Sequence, residues 1–359
     1  MAESRFLSDP RRRNLLILGA VTLVAVLLAL VAIWQQADLE KSAYTPEQFF
    51  PGLARQVRNA ATIHVASRAG GAFDIVFVPD KGWVLPARGD FPASFDLVRR
   101  TLVGLAALQT IEPKTARADW LHYLGLDAPP KGDGIEITVR DDKGRVLASL
   151  IAGKSEDIGD ATGATGLFVR RPNETQSWLT RSVLDPRASL SDWLDKSVMD
   201  IDRARIQEVD VDPAGSPSFT VRREKPSDPD FTLSPLPSGK SLSDPTAPDG
   251  VAAAITSFGF DDVRPTKDLD FGNQSVTARV VTKTFDGLKV TTNVQRQGTD
   301  YWATVSAEAV GELGPASAEA TAINAHASGW AYKLPAYKGQ LFMTTLDSLL
   351  KSPDTQAPR

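Results

Sequence analysis

Twenty consecutive uncharged residues, Leu15 to Trp34, constrain this chain more than any other feature. They read LLILGAVTLVAVLLALVAIW, and a helix of this length covers about 30 Å, the thickness of a bilayer's hydrocarbon core. Arg11, Arg12 and Arg13 stand just before it, so the positive-inside rule holds the short N-terminus in the cytoplasm and sends the rest across. Trp34 closes the run, where an amphipathic ring suits the membrane–water interface. A cleaved signal peptide would have an apolar core of about 7–15 residues followed by a small-residue site. Here the run is longer, and Trp34-Gln35-Gln36 before Ala37 matches such a site poorly. The expectation is an uncleaved single-pass anchor: a cytoplasmic tail over 1–14, a transmembrane helix over 15–34 and a polar stalk over 35–48.

Residues 35–359 are long enough for two domains of about 150 residues each. The tail before the span carries four Arg against Glu3 and Asp9, so the formal −4 of the whole chain becomes −6 beyond it. That balance gives no electrostatic reason to bind nucleic acid. Cysteine is absent, which removes disulfides, thiol catalysis and Cys-based zinc sites together.

The chain beyond the stalk reads as one module written twice, over 49–200 and 201–350, with a disordered tail over 351–359. The first copy opens with strand patterns at Ala61–Val65 and Phe73–Val78, then a short apolar piece at Trp83. A helix introduced by Phe91-Pro92 comes next, with Phe95, Val98, Leu102 and Leu105 at core spacing. The second copy has Arg205–Val211, Phe219–Val221, a piece at Phe231 and a helix over Pro248–Phe258. Each then enters a meander, turning at Asp142-Lys143-Gly144 and at Asp286-Gly287. Trp178 and Trp330 hold matching places, and an Ala-rich insert between Ala307 and Ala327 adds a helix to the second copy. Lys225–Gly250, with six prolines from Pro226 to Pro248, reads as long surface loops. The fold class is α+β: an N-terminal transmembrane helix, then two tandem similar modules of mainly antiparallel sheet with helices packed on one face.

Catalytic patterns are not visible. His64, His122 and His326 are the only histidines, and none shares a short metal-ligand spacing with another. Gly153-Lys154-Ser155 and Gly239-Lys240-Ser241 end like phosphate loops, but Ala148 and Ser234 stand where the leading glycine belongs. Asp141/Asp142, Asp210/Asp212 and Asp261/Asp262 read as solvated acids at hairpins. No cofactor is expected. Three aromatic residues, Trp193, Trp83 and Phe231, are candidate partner-docking side chains because large rings anchor interfaces well; Trp193, in Asp192-Trp193-Leu194-Asp195-Lys196, reads first as core.

Phe50-Pro51-Gly52-Leu53 with Asn59, Leu124-Gly125-Leu126-Asp127-Ala128-Pro129, and Asp192–Lys196 leading to Ile201-Asp202 and Ile206 together resemble the uncharacterised family catalogued as domain of unknown function 4340. The resemblance implies a bacterial inner-membrane protein with a large periplasmic part, beside the permease and ATPase of an ABC-type system similar to the gliding-motility type. It implies no catalytic residue. The leading expectation is a non-catalytic accessory or scaffold subunit, which predicts an exposed apolar or aromatic patch on one module. The alternative is a periplasmic binding protein with a deep pocket between the modules; an envelope hydrolase ranks third.

Overall fold

Ile63 and Val65 alternate along one strand, Phe73 and Ile75 along the next, and all four are buried in the same core. The computed structural model describes residues 18, 21–26, 45–161, 163–271, 275–311 and 314–351. Of the expected span, only Leu18 and residues 21–26 are described, as exposed helix. Arg11, Arg12, Arg13, Trp34, most of the stalk and the tail beyond Lys351 lie outside the described residues. Among the described residues no helix is long and apolar enough to cross a membrane.

The first module contributes β1 (Ala60–Ser67), β2 (Gly71–Val78), β3 (Gly82–Leu85), β4 (Phe91–Pro92), β5 (Gln109–Pro113), β6 (Ile135–Asp141), β7 (Val146–Glu156), β8 (Thr165–Arg170) and β9 (Ser177–Ser182). The second contributes β10 (Ile206–Pro213), β11 (Phe219–Arg222), β12 (Thr232–Ser234), β13 (Asp262–Pro265), β14 (Ala278–Thr284), β15 (Leu288–Gln297), β16 (Asp300–Ala309) and β17 (Trp330–Leu334). The first sheet runs β4-β3-β2-β1-β6-β7-β8-β9-β5 and the second β12-β11-β10-β14-β15-β16-β17-β13. Setting β4 aside, the two orders are the same strand for strand. In both, a helix leaves the third strand and returns to a strand that pairs at the far edge, beside β9 or β17. That returning strand, β5 or β13, is an element the sequence patterns do not reveal.

The helices are α1 (Leu53–Gln56), α2 (Phe95–Ala107), α3 (Ala247–Ala253), α4 (Pro315–Ala327), α5 (Ala336–Phe342) and α6 (Leu346–Leu349). Ser94, not Pro92, starts α2: its hydroxyl accepts from the Leu97 N–H, while Pro92 sits in β4. Leu97, Val98, Leu102 and Leu105 of α2 join the cluster that holds Ile63 and Ile75, so the helix covers one face of the sheet. The Ala-rich insert is α4, and it does more than cover the core. The Asn324 amide accepts from Ala307 N at 2.9 Å and donates to Ala307 O at 2.7 Å, satisfying β16 beyond the end of β17 as a neighbouring strand would.

One continuous apolar cluster runs through both modules. At their junction Phe91 meets Trp330, Phe260 and Tyr332 edge-on, with ring centroids 5.0, 6.0 and 6.3 Å away. Burial pushes the Tyr332 phenol well above its ordinary value, with the Asp195 charge adding to it. Arg88 reaches across to Asp262 with two hydrogen bonds, Nε to Oδ1 at 2.5 Å and Nη2 to Oδ2 at 3.1 Å. The acids at 261/262 therefore do not both sit on a solvated hairpin, because Asp262 starts β13 and ties the modules together. Gly89 makes that approach feasible: its φ is +68°, and a Cβ there would stand 2.7 Å from Pro265 Cγ.

Candidate functional site

Phe95, Arg99 and Val103 lie at i, i+4 and i+8 on α2, a stripe along the rim of the helix rather than its buried face. The spacing that places Phe95 in the core is one position off: Leu97 and Val98 turn inward, and Phe95 is left 66% exposed. Across from this stripe, β2 and β3 present Phe77, 47% exposed, and Trp83, whose rings meet edge-on at 5.7 Å. Between them runs a groove of about 280 Å³, lined by Val57, Phe77, Trp83, Phe95, Leu102 and Val103, with Arg58 and Arg99 at its sides. Arg58 has no ion pair among the described residues, and Arg99 has only a long contact, 3.4 Å, to Asp96. The result is an apolar trough flanked by positive charge. It suits an apolar segment that carries acidic flanks, and it offers no nucleophile, base or metal ligand.

The three candidate docking rings part company here. Trp83 lines this groove. Trp193 is 0% exposed, with Nε1 donating to Arg187 O and its own carbonyl accepting from Ser94 N. Phe231 is 2% exposed under the guanidinium groups of Arg203 and Arg223. Neither presents a face to a partner, because burying these rings closes the edge of each sheet.

Groups capable of chemistry are occupied structurally. Burial pushes the Lys338 ammonium down, yet it donates to the carbonyls of Ala254, Thr256 and Ser257 beyond α3. Arg170 and Arg223, likewise pushed down by burial, each serve several backbone carbonyls. Asp74, His64, Thr138 and Ser149 stand side by side on β2, β1, β6 and β7. Asp74 binds His64 Nδ1 at 2.7 Å, but the two hydroxyls bond each other at 2.7 Å, so no nucleophile engages the imidazole. Gly153-Lys154-Ser155 lies inside β7. Among the described residues no group of three metal-ligating side chains forms.

Phe91 occupies the crevice expected between the modules. A hollow of about 440 Å³ is lined by Lys196, Ser197, Met199, Asp200 and residues 257–259, and a polar concavity of about 700 Å³ lies wholly within the second module, lined by Asp212, Arg279, Asn293 and Glu308 among others.

Residues 83–307 match the family described as Domain of unknown function (DUF4340). The chain belongs to this family. No curated protein and no solved structure matches it. The DUF4340 match begins at Trp83 and takes in α2, both partners of the Arg88–Asp262 bridge, β10 to β15 and most of β16, so one wall of the groove and the first module's side of the junction fall within it, while Phe77, Trp330 and Tyr332 lie outside. Two of the resembling motifs acquire physical roles. Gly125 ends a 3-10 helix at φ +68° and Leu126 is buried, while Trp193 and Leu194 pack against the short β4.

Proposed function

We propose that this DUF4340 chain is a membrane-anchored, non-catalytic accessory subunit of an ABC-type envelope transport complex, held in a bacterial inner membrane by residues 15–34 with its two modules in the periplasm. The observation that carries the reading is the groove at Phe77, Trp83 and Phe95. A large aromatic surface left open to water, with Arg58 and Arg99 at its sides, matches a docking face rather than a reaction centre. The occupant is a permease segment exposed on the periplasmic side, with apolar side chains for the trough and Asp or Glu for Arg58 and Arg99. The anchor adds a second argument: a tethered domain meets a membrane partner at a high effective concentration, so a modest groove suffices.

Purification of the tagged full-length chain in mild detergent tests this. The permease and its ATPase should accompany the wild type and be lost from Phe77→Ser/Phe95→Ser. A chain that emerges alone and monodisperse would contradict the reading.

A further inference from the structure

Trp120-Leu121-His122-Tyr123-Leu124 closes a 3-10 helix over Ala118–Leu124 whose two leucines turn inward and whose three rings turn out. Leu121 is buried in a small satellite core with Leu126 and Ile151, and Leu124 packs against it. Trp120 is left 48% exposed and Tyr123 65% exposed. The Arg117 guanidinium, held by both oxygens of Asp119, lies 4.7 Å above the Trp120 ring, and the His122 and Tyr123 rings sit 3.8 Å apart. Two basic side chains brace this platform from the neighbouring strands. Lys154 Nζ donates to Tyr123 O at 2.9 Å, and buried Arg170 donates to Leu126 O at 2.7 Å.

The chain's path gives the platform a direction. Gln48 bridges Gln109 in antiparallel sense, and Thr110 N donates to Glu47 O at 2.8 Å. Going back from Gln48 to Thr45, the chain therefore runs alongside β5 toward Pro113, the end from which the chain continues to Trp120. Arg171, next to the Arg170 that braces the platform, donates to Phe49 O at 2.9 Å and covers the Phe49 ring at 4.6 Å. Two consecutive arginines thus fasten the tether's attachment point and the aromatic platform to the same strand end. From Thr45 to Trp34 the chain spans at most about 40 Å when fully extended.

We infer that Trp120 and Tyr123 form a second contact with the membrane, seated at the headgroup level of the leaflet that the anchor leaves. This rests on the anchored reading above. Tryptophan and tyrosine favour that zone because one part of the ring system is apolar and another forms hydrogen bonds. Such a contact fixes the tilt of the first module over the bilayer and so sets where its groove can be reached.

The test uses the full-length chain reconstituted into phosphatidylcholine–phosphatidylglycerol vesicles, with or without brominated acyl chains that quench nearby tryptophan. Trp120→Phe and Trp34→Phe are compared with wild type. Both substitutions should lower the quenched signal, because two quenched tryptophans become one in each. If Trp120→Phe leaves the quenching unchanged while Trp34→Phe lowers it, the anchor stands, the membrane contact is overturned, and the platform is left to a protein partner. If neither changes it and alkaline carbonate extracts the chain, the anchored reading fails and the inference fails with it.

Discussion

Arg88 and Asp262 are 174 residues apart in sequence and joined by two hydrogen bonds across the module junction. Both side chains are mostly shielded, at 29% and 24% exposure, and the neighbouring Phe91 is buried against Trp330. A bidentate, partly buried pair of this kind contributes more than a surface ion pair and less than a fully desolvated one. Arg88→Ala and Asp262→Ala should each cost roughly 1–2 kcal/mol, and the double variant should cost clearly less than their sum. Urea unfolding of the four proteins checks this; strictly additive losses would show that the pair does not couple the modules.

Gly89→Ala sets two costs at one position. The left-handed φ of +68° strains any side chain, and the new methyl meets Pro265 Cγ at 2.7 Å. The expected loss is about 2–3 kcal/mol, with the junction loosened and the tryptophan fluorescence altered through Trp330. A loss no larger than the roughly 1 kcal/mol of an unhindered Gly→Ala at positive φ would show that Pro265 can move aside.

The hydroxyl of Thr292 is fully buried and has no hydrogen-bond partner among the described residues. Thr292→Val keeps the shape and removes that unsatisfied group. The variant should gain about 1 kcal/mol of stability by chemical denaturation. A destabilised variant would mean that the hydroxyl has a partner in solution.

Two turn-side carboxylates, Asp141 and Asp286, should contribute to the fold's acid sensitivity. Desolvation pushes Asp141 up, but hydrogen bonds from Arg145 and from Lys143 N–H outweigh it and hold it below its ordinary value. Asp286 is likewise raised by desolvation and lowered further by Thr284 and Arg205. Both folded values lie below the ordinary value of 3.8, so the stability they contribute is present above that pH and is lost as pH falls through the folded values. Stability measured from neutral pH downward should drop steeply below about pH 4, and Asp141→Asn should flatten part of that drop. An unchanged acid limb in Asp141→Asn would remove Asp141 from this account.

Trp193 and Trp83 should separate folding from docking. Trp193→Ala empties a fully buried site and should cost roughly 3–5 kcal/mol. Trp83→Ala opens a side chain that already faces the groove, so it should cost much less stability and instead weaken partner recovery. Equal thermal shifts in the two variants would contradict the assignment of Trp83 to a surface.

Much of this architecture was legible in the sequence. Alternation at Ile63/Val65 and Val209/Val211, the turns at Gly144 and Gly287, and the matching tryptophans at 178 and 330 were enough to reveal one topology written twice. The returning strands β5 and β13 were not, because Gln109–Pro113 and Asp262–Pro265 are short edge strands with one buried position each. Their pairing partners lie about 70 residues away, and only the closed sheet identifies them. The groove was half legible. Trp83 was visible as a large ring in a short strand, but Phe95 fits the core periodicity and is exposed only because the buried face of α2 is centred on Leu97, Val98 and Leu105. Trp120 and Tyr123 were hidden for a similar reason, since a 3-10 helix puts its leucines inward on a period that neither α-helical nor strand patterns reveal.

The most direct test of the docking account is site-specific photo-crosslinking from Phe95 in the full-length chain, carried out in intact cells and read by mass spectrometry of the adducts. The account predicts a crosslink from position 95 to a periplasmically exposed segment of an ABC-type permease, weakened when Arg58 and Arg99 are both changed to Glu, and no adduct from a control position on the far face of the sheet such as Asp74. A position 95 that yields no adduct, or yields the same adducts as position 74, would contradict it.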